Sequence, residues 1–194
     1  MIISEGPMFA IPFLHMRLEN WKWRKKVLLN HLFDRRTMKR DDTLDHLTTD
    51  YHYQFEEGES GVYNAEVSEL FGGEIDYLME RANLSSAEVI MSWFEETGEK
   101  DYHGIHNHGA GGFSSVVYVD YDPNVHQPTQ FVCPWVGPVE QEVLEFVPPN
   151  VEEGDIIFFP SLISHYTRPN KTDKKRLILS FNLNCKLNKA PFEN

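Results

Sequence analysis

Cysteine is nearly missing from this chain: Cys133 and Cys185 are the only two among 194 residues. They make no metal-type pair and no disulfide framework, which suits a reducing compartment. Both are expected as small hydrophobes within or beside strands. Long apolar runs are missing too, and none approaches the roughly 20 residues of a membrane-spanning helix. The start, MIISEGPMFAIPF, has neither a basic n-region nor a continuous apolar h-region. No secretory signal is read there, and a cytoplasmic location is expected. Positive charge is scarce, with 18 Lys and Arg against 30 Asp and Glu and a formal net charge of −12. That balance counts against nucleic acid as a partner, because phosphate contact needs a basic surface. The basic clusters WKWRKK (21–26) and RRTMKR (35–40) read as a solvated helix face and a loop. Linkers, repeats and low-complexity tracts are also absent. The chain therefore reads as one domain, with 1–87 a helical and extended support and 88–185 a β-rich core.

What is present divides at about Glu88. Before it, a short extended stretch (Met8 to Leu14) precedes a helical pattern from Asn20 to Phe33, with Trp21, Lys25, Leu28, Leu29 and Leu32 on one stripe. Asn20 is the expected N-cap. The stretch 35–45 reads as loop. A second stripe runs from Asn64 to Ala82 through Val67, Leu70, Phe71, Ile75, Leu78 and Met79, and Gly72-Gly73 predicts a break in it. After Glu88 come short β-rich runs: 89–94, 113–119, 129–132, 143–147, 155–160 and 176–182. Strands at this spacing, bounded by Gly, Pro and Asn, indicate a β-sandwich or barrel. The fold class is α+β: a double-stranded β-helix, or jelly roll, with the N-terminal helices packed on one sheet.

The chemistry concentrates in IHNHGAGGFSSVVYV (105–119), GDIIFFPSLISHYTRP (154–169) and KKRLILSFN (174–182). His106 and His108 are two apart, so on an extended strand they share a face. Both sit before a Gly-rich turn that lets backbone or ligand come close. His165 follows the buried run launched by the Gly154-Asp155 turn. If the two strand ends are neighbours, three imidazoles offer Fe(II) one octahedral face and leave other positions open. His103 has odd spacing from His106 and is expected on the opposite face. Asp101 and Asp120 lack ligand spacing, and His15, His31, His46, His52 and His126 have no partner. On 176–182, Arg176, Ile178, Ser180 and Asn182 share a face turned to the barrel interior, while Leu177, Leu179 and Phe181 suit the core between the sheets. An inward Arg matches a bound carboxylate, since its planar fork pairs with one. Its bland alternative is a strand-edge salt bridge.

These landmarks, in this order, resemble the 2-oxoglutarate/Fe(II)-dependent dioxygenase superfamily, nearest to its prolyl-hydroxylase-like branch and small bacterial and phage oxygenases. The resemblance covers roughly Val89 to Asn184. It implies that His106 and His165 match the family's two metal histidines. Arg176, eleven residues past His165, matches the basic residue that binds the far carboxylate of 2-oxoglutarate. Tyr118, Ser180 and Asn182, with Ser114 or Ser115 as weaker choices, are the expected neighbours of that carboxylate. The chain departs from the family at His108, which stands where a carboxylate is usual. The expected metal ligands are thus His106, His108 and His165, and the expected cofactors Fe(II) and 2-oxoglutarate.

The activity so implied is hydroxylation of a C–H bond on a peptide side chain or small metabolite, coupled to conversion of 2-oxoglutarate to succinate. Halogenation is disfavoured, since His108 fills the space a halide would need. Trp93, Tyr102 and Trp135 are expected near the mouth. Two other readings stay open. One is a three-histidine, cupin-like oxygenase that does not use 2-oxoglutarate; the other is a non-catalytic jelly-roll module for binding or structure.

Overall fold

A computed structural model describes residues 11–43, 45–53, 61–109, 111–137, 139 and 141–188. Part of the extended stretch expected at Met8 to Leu14 lies outside them. The described residues form eleven strands and three helices in two antiparallel sheets. The larger sheet combines β1 (Leu14–Arg17), β2 (Lys39–Asp41), β3 (Leu47–Thr49), β4 (Leu84–Thr97), β6 (Phe113–Asp120), β9 (Asp155–Pro160) and β11 (Arg176–Leu187). Their spatial order is β1-β9-β6-β11-β4-β3-β2. The smaller sheet takes β5 (His103–His106), β7 (Gln130–Val136), β8 (Val143–Phe146) and β10 (His165–Thr167), in the order β5-β10-β7-β8.

The helices cover one face of the larger sheet. Helix α1 (Trp21–Val27) runs into a π-helical turn at Leu28–Leu32, which brings Leu28 and Leu32 into the core. Asn20 is not the side-chain cap that its residue type suggested. It sits at φ 53° without a side-chain capping bond, and its carbonyl accepts from the Trp23 and Arg24 amides. The second stripe is two helices, α2 (Asn64–Leu70) and α3 (Gly72–Arg81), broken at Phe71 beside the two glycines. Val67, Phe71, Ile75 and Leu78 from these helices cluster with Phe94, Val117, Phe158, Leu179 and Phe181. Each such side chain contributes roughly 1.5–3 kcal/mol on burial. The stretch 35–45 is not all loop: β2 lies within it and pairs with β3.

A second, smaller cluster fills the space between the sheets and contains Val116, Tyr118, Phe131, Ile157, Phe159, Ile163 and Ile178. The faces of β11 therefore differ in part from expectation. Leu177, Leu179 and Phe181 pack under the helices rather than between the sheets. The opposite face does look inward, and on it Arg176, Ser180 and Asn182 flank Ile178, part of the inter-sheet cluster. The strand-to-strand register sets Trp93 opposite Ser180, Glu95 opposite Ile178 and Thr97 opposite Arg176. Alternation then turns these six side chains toward the same interior.

Two glycines are forced by geometry near the site. At Gly112, φ is +91° and a Cβ would come within 1.8 Å of the Leu183 carbonyl oxygen. This lets the turn after His108 press against β11. At Gly154, φ is +85° and a Cβ would strike the Trp21 ring, so the turn into β9 seats α1. No helix among the described residues is long and apolar enough to cross a membrane.

Candidate active site

Cross-strand pairing builds the first half of the site. His165 on β10 lies directly opposite His106 on β5. His108 lies just past β5, where its amide donates to the Ser161 carbonyl at 2.9 Å. Its ring reaches the larger sheet: Nδ1 is 2.7 Å from Asn182 Oδ1 and 2.9 Å from Ser114 Oγ. The three histidines thus join the two sheets at one mouth, and their nearest ring nitrogens all lie within 4.8 Å of one another.

The hydrogen bonds also fix the tautomers. His106 Nδ1 faces the Gly104 carbonyl at 2.9 Å, and His165 Nδ1 faces the Ile163 carbonyl at 2.9 Å. A carbonyl accepts only, so both Nδ1 atoms carry the proton and both Nε2 atoms present lone pairs. Asn182 Oδ1 imposes the same state on His108. His106 Nε2 and His108 Nε2 then meet at 3.2 Å with no proton available between them. Two lone pairs held face to face are unfavourable unless a cation lies between them. Burial pushes the basicity of all three rings down, to about 4 for His106, where the charge of His103 adds to it. The rings are therefore neutral at neutral pH, the form that binds a metal.

Arg176 is 3% exposed on the central strand β11, where it lines a separate small pocket with Thr97, His126 and Asn170. Its Nη2 donates to Thr129 Oγ1 at 3.1 Å and its guanidinium lies 5.4 Å over the Tyr118 ring. Its Nε is buried and has no hydrogen-bond partner. Among the described residues no carboxylate pairs with it, so the edge salt bridge considered from sequence is not formed. Tyr118 is fully buried, and its hydroxyl accepts from the Thr129 amide at 3.1 Å. Thr129, Ser180 and Ile178 wall a narrow inner cavity together with His106, His108 and His165. Asn182 instead lines an outer cleft and spends its side-chain oxygen on His108 and Ser114. Ser115 hydrogen-bonds the Phe181 carbonyl, away from the interior.

The outer cleft, about 400 Å³, opens onto the histidines. Trp93, Tyr51, His52, Asp41 and Asp45 form its walls. Trp93 is near the mouth as expected, its ring 5.2 Å from His108. Tyr102 packs on His46, and Trp135 is 47% exposed on β7. Neither lines the cleft. Asp101 binds Arg40 and Asp120 faces Lys25, so neither joins the histidines. His52, given no role from sequence, is on the cleft wall. His15, His46 and His126 make structural bonds, to Asp155, Asp42 and the Lys174 carbonyl.

Two residues of the site were not expected there. His103 was expected on the face opposite His106, yet their rings stack at 3.8 Å and 17°. The pairing explains it: His165 and Thr167 of β10 match His106 and His103, so β5 carries one residue more than its partner. Such a bulge reverses the alternation. Glu95 is buried behind His103. It accepts from Trp93 Nε1 at 2.6 Å and lies 3.1 Å from His103 Nδ1. Burial pushes its carboxyl up, but His103 and the Trp93 bond outweigh this and hold it below the ordinary carboxylate range. The signal for Glu95 was an acid inside the strand run SWFEET, on the face of Trp93.

Residues 91–182 match the family model described as "Putative 2OG-Fe(II) oxygenase". That segment contains all three histidines and Arg176. No curated protein sequence matches the chain. Among solved structures, the non-heme alpha ketoglutarate dependent epimerase SnoN from nogalamycin biosynthesis superposes with a TM-score of 0.61 at 15% identity, covering 95% of this chain and 86% of SnoN. A prolyl-4-hydroxylase from Pseudomonas putida gives 0.57 at 14% identity, over 90% of this chain and 93% of its own. The collagen prolyl hydroxylase of Paramecium Bursaria Chlorella virus-1, in its 2OG complex, gives 0.55 at 12%, over 89% and 96%. In sequence over 91–182, and in fold over nearly the whole chain, the protein is thus similar to 2-oxoglutarate/Fe(II) oxygenases. Iron and 2-oxoglutarate are the cofactors of that superfamily.

Proposed function

We propose that this protein is a non-haem Fe(II)- and 2-oxoglutarate-dependent oxygenase that hydroxylates a peptide side chain or small metabolite. The observation that carries the reading is the pair of lone-pair-bearing nitrogens on His106 and His108, 3.2 Å apart, with His165 completing a three-nitrogen face. This donor set fits a divalent first-row metal. Arg176 fits the cosubstrate: a buried cation with one unpartnered N–H is what a carboxylate satisfies.

When bound, iron and 2-oxoglutarate supply the oxidative chemistry, and the protein supplies position and exclusion of water. His106, His108 and His165 would hold the metal, each ring locked by the acceptor on its Nδ1. Arg176, with Thr129 and the Tyr118 ring beside it, would grip the far carboxylate. Ser180 lines the inner cavity beside the histidines. Asn182 supports the metal side through His108 rather than the cosubstrate. The outer cleft would admit the substrate against Trp93 and Tyr51. The double-stranded β-helix expected from sequence is consistent with the two antiparallel sheets, and a cytoplasmic site of action goes with the scarcity of cysteine. Anaerobic addition of Fe(II) and 2-oxoglutarate followed by oxygen should yield succinate, with His165→Ala inactive. Turnover of neither 2-oxoglutarate nor oxygen would sink this reading.

One observation favours a second reading. Three histidines without a carboxylate also suit an oxygenase that binds its substrate directly. The buried, unpaired Arg176 favours the first.

A further inference from the structure

Three neutral imidazoles bring no negative charge to a divalent cation, whereas the usual ligand set brings one unit. An anionic assembly lies one layer behind them. Glu95 is 5% exposed near the C-terminal end of β4 and walls both the outer cleft and the inner cavity beside His106 and His108. One carboxylate oxygen takes the Trp93 indole N–H at 2.6 Å, and the other lies 3.1 Å from His103 Nδ1. The far nitrogen of His103 is 3.5 Å from Asp45 Oδ2, and Asp45 Oδ1 accepts the Gly104 amide at 2.7 Å. One imidazole is thereby held between two carboxylates, with its face on the His106 ring.

We infer that Glu95, His103 and Asp45 act as a positioning clamp for the metal centre. They fix the plane of His106 and supply from outside the ligand set the negative charge that the three histidines lack. The inference rests on the metal-binding reading given above. The clamp carries a net charge of −1 with His103 protonated and −2 with it neutral, so its sign does not depend on that proton. Packing alone does not call for the charge at Glu95. A glutamine of the same shape could accept from Trp93 and donate to His103 without the cost of burying an anion. Beside a bound cation the anion becomes favourable, because charges interact strongly where water is excluded. The Gly104 carbonyl that orients His106 Nδ1 belongs to the residue whose amide Asp45 holds. The clamp thus reaches His106 both through its ring and through its backbone.

The test is titration of the metal-free, full-length protein with Co(II), an air-stable stand-in for Fe(II), followed by calorimetry. Glu95→Gln should weaken binding by about ten- to a hundredfold, the usual cost of losing an outer partner of a metal ligand. Its discriminating arm repeats the substitution in a His108→Asp background. There the inner carboxylate supplies the charge, so Glu95→Gln should cost less than about threefold. A merely structural role would give equal losses in both backgrounds and overturn the proposal, as would unchanged affinity in Glu95→Gln. If Glu95→Gln does not fold, Asp45→Asn keeps the acceptor for Gly104, removes one charge and carries the same comparison. Failure of the wild type to bind Co(II) would be a different result: it would remove the metal centre itself and the clamp with it.

Discussion

At the scale of single residues, the site is decided by where each imidazole keeps its proton. Carbonyls of Gly104 and Ile163 and the amide oxygen of Asn182 hold the three Nδ1 atoms, so the Nε2 atoms converge bare. Replacing His106 or His165 by Ala should reduce metal occupancy severely, since one of three ligands is lost. His108→Asp should keep the metal, because a carboxylate at that position restores the usual donor set; metal analysis of the purified variants checks both. The same burial gives a pH dependence. The folded basicity of His106 falls to about 4 from an ordinary 6.5, and His108 and His165 shift the same way. Between those values the unfolded chain takes up protons that the folded chain refuses, so stability drops as pH falls. His103 shifts upward, through Glu95 against the opposing effect of its burial, and works in the other direction. The three depressed rings outnumber it. The urea midpoint of the metal-free protein should therefore fall between pH 6.5 and about 4, and a midpoint that rises on acidification would refute the neutral assignment.

Secondary elements set what could be read from sequence and what could not. The break between α2 and α3 was legible in Gly72-Gly73, and the strands after Glu88 in their β-branched and aromatic runs. Phe71 fills the break, fully buried and stacked 5.6 Å from Phe181. Phe71→Ala should cost about 3–5 kcal/mol by the usual penalty for a large core deletion, measured by urea unfolding. The bulge in β5 was not legible, because a single extra residue leaves no compositional trace and depends on how β10 pairs. It explains why His103, expected from its odd spacing to face away, stacks on His106 instead. The π-helical turn after α1 and the left-handed Asn20 escaped for a similar reason: tertiary packing overrode the local preference. Strand β2 was hidden by its charge, since Lys39, Arg40 and Asp41 form an edge strand, where charged residues are common.

The described residues form two sheets, the larger covered by helices on one face and packed against the smaller sheet on the other. The meeting of His106, His108 and His165 was legible because their order and spacing survive in sequence. Glu95 and the outer cleft were not, since they depend on β2, β3 and β4 meeting β5 across long separations. Metal should couple to the stability of this body, because His108 ties the two sheets together. At a metal concentration 100 times the dissociation constant, binding adds about 2.7 kcal/mol. The thermal midpoint should rise accordingly with Co(II) and return on chelation, and no shift would argue against a site that spans the sheets.

The central claim is that Arg176 and the three histidines hold 2-oxoglutarate between them. Charge-assisted pairing of this kind is worth about 1.5–3 kcal/mol, or roughly ten- to a hundredfold in affinity. The direct measurement is anaerobic titration of the Fe(II) protein with 2-oxoglutarate, followed by the visible metal-to-ligand absorption band. Wild type should bind one equivalent, Arg176→Ala should bind ten- to a hundredfold more weakly, and Arg176→Lys should fall between them because its charge survives without the planar fork. No band in the wild type, or equal binding by Arg176→Ala, would contradict the account and leave the three-histidine oxygenase without 2-oxoglutarate as the reading of this site.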